Sequence, residues 1–389
     1  MTRKLTLLVI FVWFFTSCNN QSKQTGPTND QEISGQYRKM ITSDELSASL
    51  HFLASDFFEG RATGTRGQQM AAHYLASSLI QMGVPPLKSD STMPLTEQYF
   101  REFRFSRNGD GIAQNVFAFF EGSDPVLKNE IILFSAHYDH LGIDTKLKGD
   151  SIFNGAADDG SGSVVLLEVA ESFAAAFKNG EGSKRSIMFA WFAGEEIGIQ
   201  GSSYYALEAN PEEIRKIAVQ INLDGAGGFD LNHPTKSQNY IYLVLNDSTS
   251  QQWEANIKSW GALPDISIDV DRPLTPERFD SDNRPFAYFL VPTIYFSSGL
   301  TEHYHKVSDH PSTIDYRHLE KVARLTFATG WELGNSSSLP LKLNRNDYEL
   351  SGQYVCHPCG CAKDNQVFSG PGKCDACGMP LYPTWKKKS

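Results

Sequence analysis

The sequence predicts an α/β sandwich, three layers with a mostly parallel central sheet covered by helices on both faces, followed by a small cysteine-rich module. Three observations carry this. Apolar runs bounded by turn residues alternate with helical patterns from residue 67 to residue 333, and strand–helix alternation marks a parallel sheet. Several of those runs, such as Ile-Ile-Leu-Phe-Ser-Ala over 131–136, are apolar almost throughout, as expected of strands covered on both faces. The cysteines supply the third observation: none lies between Cys18 and Cys356, and five of the six fall within 356–377. A chain of 389 residues, 40% of them hydrophobic, holds one large domain and an appendage. With no cysteine in its long middle, the body folds on packing or on ligands other than thiols.

At the start of the chain, Arg3 and Lys4 precede an apolar run over 5–15. That run is too short to span a bilayer as a mature helix; a basic start, a short apolar stretch and small residues make a secretory signal. Its end, Thr16-Ser17-Cys18, resembles a bacterial lipobox, which implies lipidation of Cys18. The expected layout is a lipoprotein signal peptide over 1–17, an anchor and tether over 18–42, a main domain over 43–335, a Ser-rich linker over 336–350 and the cysteine-rich module over 351–389. The expected location is the bacterial cell envelope, exported, lipid-anchored and facing the periplasm. A helix is expected over 67–81, stopped by Gly83-Val84-Pro85-Pro86. Strands are expected over 115–121, 131–136, 186–193, 219–223, 240–245 and 291–296, and further helices over 163–178, 202–209 and 317–333. The net charge is −10 from 35 basic and 45 acidic side chains, while the 351–389 tail is positive. An acidic body argues against a nucleic-acid partner. The sequence does not set the oligomeric state.

Residues able to do chemistry follow the predicted strand ends, where open α/β sheets gather their sites. The run over 131–136 leads into His137-Tyr138-Asp139-His140. A neutral imidazole is a zinc ligand, and Asp139 is spaced to hold its other ring nitrogen or a neighbouring ligand. Next, Asp158 and Asp159 stand in a glycine-rich turn before a strong helix. N-terminal capping accounts for one acid; two acids among close-approach glycines point to a site. The run over 186–193 leads to Gly194-Glu195-Glu196. Adjacent carboxylates repel unless something positive lies between them, so one metal ligand and one general base is the natural division. The run over 219–223 ends at Asp224, and the last one is followed by His303-Tyr304-His305 and Asp309.

This succession resembles the co-catalytic zinc aminopeptidase family, the M-twenty-eight zinc peptidases. The matching motifs are His137-x-Asp139, Asp158-Asp159-Gly160-x-Gly162, Gly194-Glu195-Glu196, Asp224 and Tyr304-His305. An opening stretch runs from Leu53-Ala54-Ser55-Asp56 to Glu59-Gly60-Arg61-x-x-Gly64-Thr65. The resemblance covers roughly 43–335. It implies two zinc ions, one on His137 and Asp224, the other on Glu196 and His305, with Asp158 bridging them. It implies Glu195 as general base, Tyr304 as an oxyanion donor, and Asp139, Asp159 and Asp309 as supporting residues. The implied activity is removal of N-terminal residues from a peptide substrate; a mono-zinc glutaminyl cyclase and a non-catalytic metal-binding relative are the alternatives. In one place the chain departs from the family, which often has Ser-Asp-His before the last strand. Here Asn283 follows Ser281-Asp282, which bears on specificity.

The tail holds Cys356-His357-Pro358-Cys359-Gly360-Cys361 and Cys374-Asp375-Ala376-Cys377-Gly378-Met379. Two Cys-x-x-Cys knuckles at this spacing indicate a zinc ribbon, and disulfides are the alternative in an oxidising compartment. The segment resembles small heavy-metal-binding modules. The expected ligands of a further zinc or other metal are Cys356, Cys359, Cys374 and Cys377, with Cys361 and His357 as competitors.

Overall fold

The structure, a computed structural model, describes residues 29–388 except 106–109, 209–210, 247–250, 276–279, 340–343, 357–360 and 365. Cys18 and Cys359 therefore lie outside the described residues. The chain enters through three helices, α1 (Asn29–Arg38), α2 (Ser43–Leu53) and α3 (Arg66–Met82). Thr65 caps α3 by accepting from the Gln68 amide, and Gly83, at φ 76°, ends it in the left-handed conformation. Helix α1 and the residues after it are not the tether expected up to 42. Ile33, Tyr37 and Ile41 are spaced four apart and present one apolar stripe. Tyr37 and Ile41 are buried, and Trp331 donates to Asp30 at 3.2 Å.

The remaining elements alternate. Strands β1 (Phe100–Phe105), β2 (Gly111–Phe120) and β3 (Ile131–His137) come first. A short pair, β4 (Gly142–Ile143) and β5 (Ile152–Phe153), precedes α4 (Ser161–Lys178). Then follow β6 (Ser186–Phe192), α5 (Gln200–Glu208), α6 (Pro211–Lys216), β7 (Ile217–Leu223) and β8 (Tyr240–Leu245). Helix α7 (Gln251–Gly261), β9 (Asp269–Asp271), α8 (Asn283–Tyr288), β10 (Thr293–Ser297) and α9 (Tyr316–Asn335) complete the body.

The eight-stranded sheet has the order β1-β2-β6-β3-β7-β10-β8-β9. Its centre, β6-β3-β7-β10, is parallel; β1, β2 and β8 pair antiparallel around it. The sheet is apolar on both faces because alternate side chains feed two separate cores. Ile132, Phe134 and Ala136 of β3 join Ile187, Phe189 and Trp191 of β6 under α4 and α9. Leu133, Met188, Ala190 and Phe192 point the other way, against Ala206, Ile214 and Phe286 of α5, α6 and α8. This is the expected three-layer sandwich.

The C-terminal module is a three-stranded antiparallel sheet of β11 (Tyr348–Cys356), β12 (Val367–Phe368) and β13 (Leu381–Lys387), in the order β12-β11-β13. It is not held off by a free linker. Leu339 packs against the main core, β11 begins inside the expected linker, and Tyr382 is part of the second-face core. Tyr382 stacks on Tyr288 with ring centroids 4.5 Å apart, and Trp385 donates to the Tyr288 carbonyl at 2.6 Å.

Candidate metal centre

The four parallel strands end side by side, and each passes at its carboxyl end into a residue or loop that bears acid or imidazole. His137 closes β3, the Glu195-Glu196 pair follows β6, Asp224 follows β7, and Tyr304-His305 follows β10. Asp158 and Asp159 arrive from the turn before α4, joined by a cis peptide.

His137 Nε2 lies 3.2 Å from Asp158 Oδ1 and 3.6 Å from Asp224 Oδ1. His137 Nδ1 faces the Asp139 carbonyl at 3.2 Å. A carbonyl only accepts, so Nδ1 carries a proton, and the ring turns Nε2 toward two carboxylates. Nε2 has no hydrogen-bond partner. On the other side of Asp158, His305 Nε2 is 3.1 Å from its Oδ2 and 3.2 Å from Glu196 Oε2. His140 Nδ1 is 2.7 Å from Glu196 Oε1 and 4.0 Å from Asp158 Oδ2. Both His140 nitrogens and Glu196 Oε1 also lack hydrogen-bond partners. Lone pairs aimed at one another in a buried site are unfavourable unless a cation lies between them. Two donor groups meet that description, His137/Asp158/Asp224 and His140/Asp158/Glu196, each with its ligand atoms within 4.8 Å of one another. Imidazole with carboxylate is a donor set for zinc and similar divalent ions, so the residues fit the implied pair of metals.

The electrostatics agree. Burial opposes protonation of His137, but the carboxylates of Asp224 and Asp158 hold its imidazole well above the usual range. Burial likewise opposes His305, and Asp158 and Glu196 lift it to about 10. The Asp158 carboxyl would be raised by burial, yet His137 and His305 hold it well below the usual range. The site retains protons because its anions demand positive charge.

Glu195 stands apart from both donor groups. Burial, then Asp224, Glu196 and Asp282, push its carboxyl up, against the pull of His137. Its side chain lines a cavity of about 260 Å³ together with Asp158, Asp224, Tyr242, Tyr295 and Tyr304. Tyr304 stacks on His305 at 3.8 Å; burial and the four site acids keep its phenol protonated. The adjacent glutamates are thus divided by position, one among imidazoles and one facing the cavity.

The supporting acids also have definite work. Asp139 accepts from Thr63 at 2.6 Å and from the Glu195 amide at 3.2 Å. Asp309 accepts from the Ala157 and Asp158 amides at 2.9 and 3.2 Å, which fixes the turn that presents Asp158. Asp159 accepts from the amides of Gly162 and Gly225 at 2.9 and 3.1 Å. A Cβ on Gly162 would stand 2.4 Å from Asp159 Oδ1, which explains the second glycine of the motif. Asn283 caps locally, accepting from the Ser281 amide at 3.0 Å; Asp280 reaches the cavity instead.

The sequence assigned no role to His140 or Arg61. The signal for His140 was its place three residues after His137 in one strand-end loop. Arg61 is wholly buried and donates to the carbonyls of Tyr138, Leu53, Asn154 and Gly155 at 2.6–3.1 Å. In the tail, Cys356, Cys361, Cys374 and Cys377 cluster. Cys359, the expected fourth ligand, lies outside the described residues; among those described, the fourth sulfur of the cluster belongs to Cys361.

Comparison with known proteins agrees with this architecture. The aminopeptidase YwaD of Bacillus subtilis is 24% identical over 277 residues, covering 70% of this chain and 56% of that protein. The chain thus spans little more than half the length of that relative. Among solved structures, the zinc aminopeptidase BSAP from Bacillus subtilis superposes with a TM-score of 0.58 at 15% identity, over 79% of this chain and 98% of that one. The glutaminyl cyclase of Porphyromonas gingivalis follows at 0.55 and 18%, over 75% and 98%. The profile of Peptidase family M28 matches residues 115–329, from β2 to α9 and across every strand end that feeds the site. The chain belongs to peptidase family M28.

Proposed function

We propose that the protein is a zinc-dependent exopeptidase, an aminopeptidase that removes N-terminal residues from peptides. The observation that carries this reading is Asp158 standing between two donor groups, with Glu195 beside them on the cavity wall. His137 and Asp224 would hold one ion, Glu196 and His305 the other with His140 against it, and Asp158 both. Such a pair supplies Lewis-acid chemistry, polarising the scissile carbonyl and acidifying water.

The chain's own residues do the rest. Glu195 takes a proton from the attacking water and returns it to the leaving amine. Its amide is held by Asp139, which also stands 3.8 Å from His137 Nδ1, so base and ligand are positioned together. Tyr304, kept protonated, donates to the oxygen that gains charge in the transition state. The acidic wall of the cavity suits a cationic substrate N-terminus.

Expected results are zinc near two equivalents in the peptidase site and chelator-sensitive release of aminoacyl fluorophores. Glu195→Ala keeps its metal and loses roughly 10²–10⁴-fold in rate, while Asp158→Ala loses metal. A zinc-loaded protein that hydrolyses none of a broad aminoacyl panel would sink the proposal. A glutaminyl cyclase is the second reading; two complete donor groups favour the first, and cyclisation of N-terminal glutamine without hydrolysis would reverse that preference.

A further inference from the structure

The body already has its metal donors, yet the tail gathers four sulfurs of its own. Cys356 Sγ lies 3.8 Å from Cys361 Sγ and 3.7 Å from Cys377 Sγ, and Cys361 Sγ lies 3.9 Å from Cys374 Sγ. Thiolates bound tetrahedrally at the zinc–sulfur length of about 2.3 Å stand about 3.8 Å apart. A disulfide would instead bring one pair to about 2 Å. Backbone amides face the sulfurs, as when Lys363 N–H donates to Cys361 at 3.3 Å. The module has little else inside it. Its own core is Cys356, Cys374 and Leu381, and a segment this small needs a staple.

The second observation is what this knot holds. Gly378, at φ 73°, closes the Cys374–Cys377 knuckle. The Gly378 amide donates to the Cys374 carbonyl at 2.8 Å and the Cys374 amide to the Met379 carbonyl at 2.7 Å. Met379 is thereby fixed, fully buried, and Gln200 Nε2 donates to its sulfur at 3.0 Å. The Gln200 amide donates to the Gly194 carbonyl at 2.7 Å, and the Gly198 and Ile199 amides both donate to the Glu195 carbonyl at 2.8 Å. Beside them the hydroxyls of Tyr382 and Ser203 bond to each other, and Ser203 donates to the Ile199 carbonyl.

We propose that Cys356, Cys361, Cys374 and Cys377 hold a thiophilic divalent cation of the zinc class, and that through Met379 and Tyr382 this ion braces the loop that bears Glu195 and Glu196. The body and its appended module are then one functional unit, and loss of metal or oxidation of the thiols slackens the loop. The importance of that loop rests on the reading of the peptidase site above, but the test reads metal and backbone exchange, so failure of hydrolysis does not touch it.

The full chain, purified with zinc, is titrated with a mercurial thiol reagent while a zinc dye reports release. One equivalent released is expected; none, with the sulfurs found in disulfides, overturns the metal site. Hydrogen exchange is then compared in wild type, Cys374→Ser and Met379→Ala. The amides of Gly198, Ile199 and Gln200 should exchange roughly tenfold faster in both variants, as when one supporting contact is lost. Met379→Ala should keep the full metal count and serves alone if Cys374→Ser does not fold. Unchanged exchange in Met379→Ala overturns the brace.

Discussion

Arg61 shows how a single side chain organises a site it never enters. Its guanidinium binds four carbonyls from the segments around α2, β3 and the turn before α4. Burial takes its pKa down to about 10, although Asp309, Asp139, Asp158 and Asp159 support its charge. Arg61→Met strands those carbonyls and should cost about 3–5 kcal/mol, read as a lower denaturant midpoint, with metal retention falling too. An unchanged midpoint would mean water replaces the guanidinium at no cost. His140→Ala should weaken the Glu196 side of the centre roughly 10–100-fold, measured as one ion lost first on dilution into chelator; parallel loss of both would contradict a sided role. The residues that the structure brings together in the candidate centre stood out in sequence because most of them follow strand ends. Arg61 and His140 did not, since a buried donor's partners are backbone carbonyls that no motif records, and an extra histidine beside a motif has no spacing rule of its own.

At the scale of elements, α4 is the pivot. Its first turn ties the site together, Ser161 donating to the Ala157 carbonyl at 2.7 Å and Ser163 to the His137 carbonyl at 2.7 Å. Further along it carries Glu168, only 5% exposed. Burial, with Glu45 and Glu171 nearby, raises this carboxyl from 4.5 to about 8. A raised carboxyl pKa contributes stability that is complete below 4.5 and is lost as pH rises through about 8. Glu168→Gln should therefore stabilise the protein at pH 8.5 by up to about 5 kcal/mol and leave it nearly unchanged at pH 4.5. Thermal melts at the two pH values test this; equal shifts at both would refute it. Long helices and wholly apolar strands were readable from periodicity, and Tyr240–Leu245 agrees to the residue. Strand β1, Phe-Arg-Glu-Phe-Arg-Phe, was not, because it lies at the sheet edge with only Phe103 buried and its charges mask the strand pattern. Helix α1 was missed because its apolar stripe is sparse among polar residues.

For the whole molecule, we propose an anchor at Cys18 from the sequence alone; Cys18→Ser should then move the protein from the membrane fraction to the soluble one, and unchanged fractionation would end that proposal. Removing metal from the body leaves His137, His140 and His305 facing Asp158, Glu196 and Asp224 with only protons between them. Chelation should lower the melting temperature, and zinc should restore it. Tyr382 has a consequence in time as well as in space. It fills the same apolar layer as Phe117, Phe192 and Phe286, residues that leave the ribosome long before it does. That layer, already covered in part by α5, α6 and α8, thus keeps an open edge until residue 382 has emerged. A chain cut short before that point would be an adhesive one, with bare aromatic surface for chaperones to hold and proteases to find.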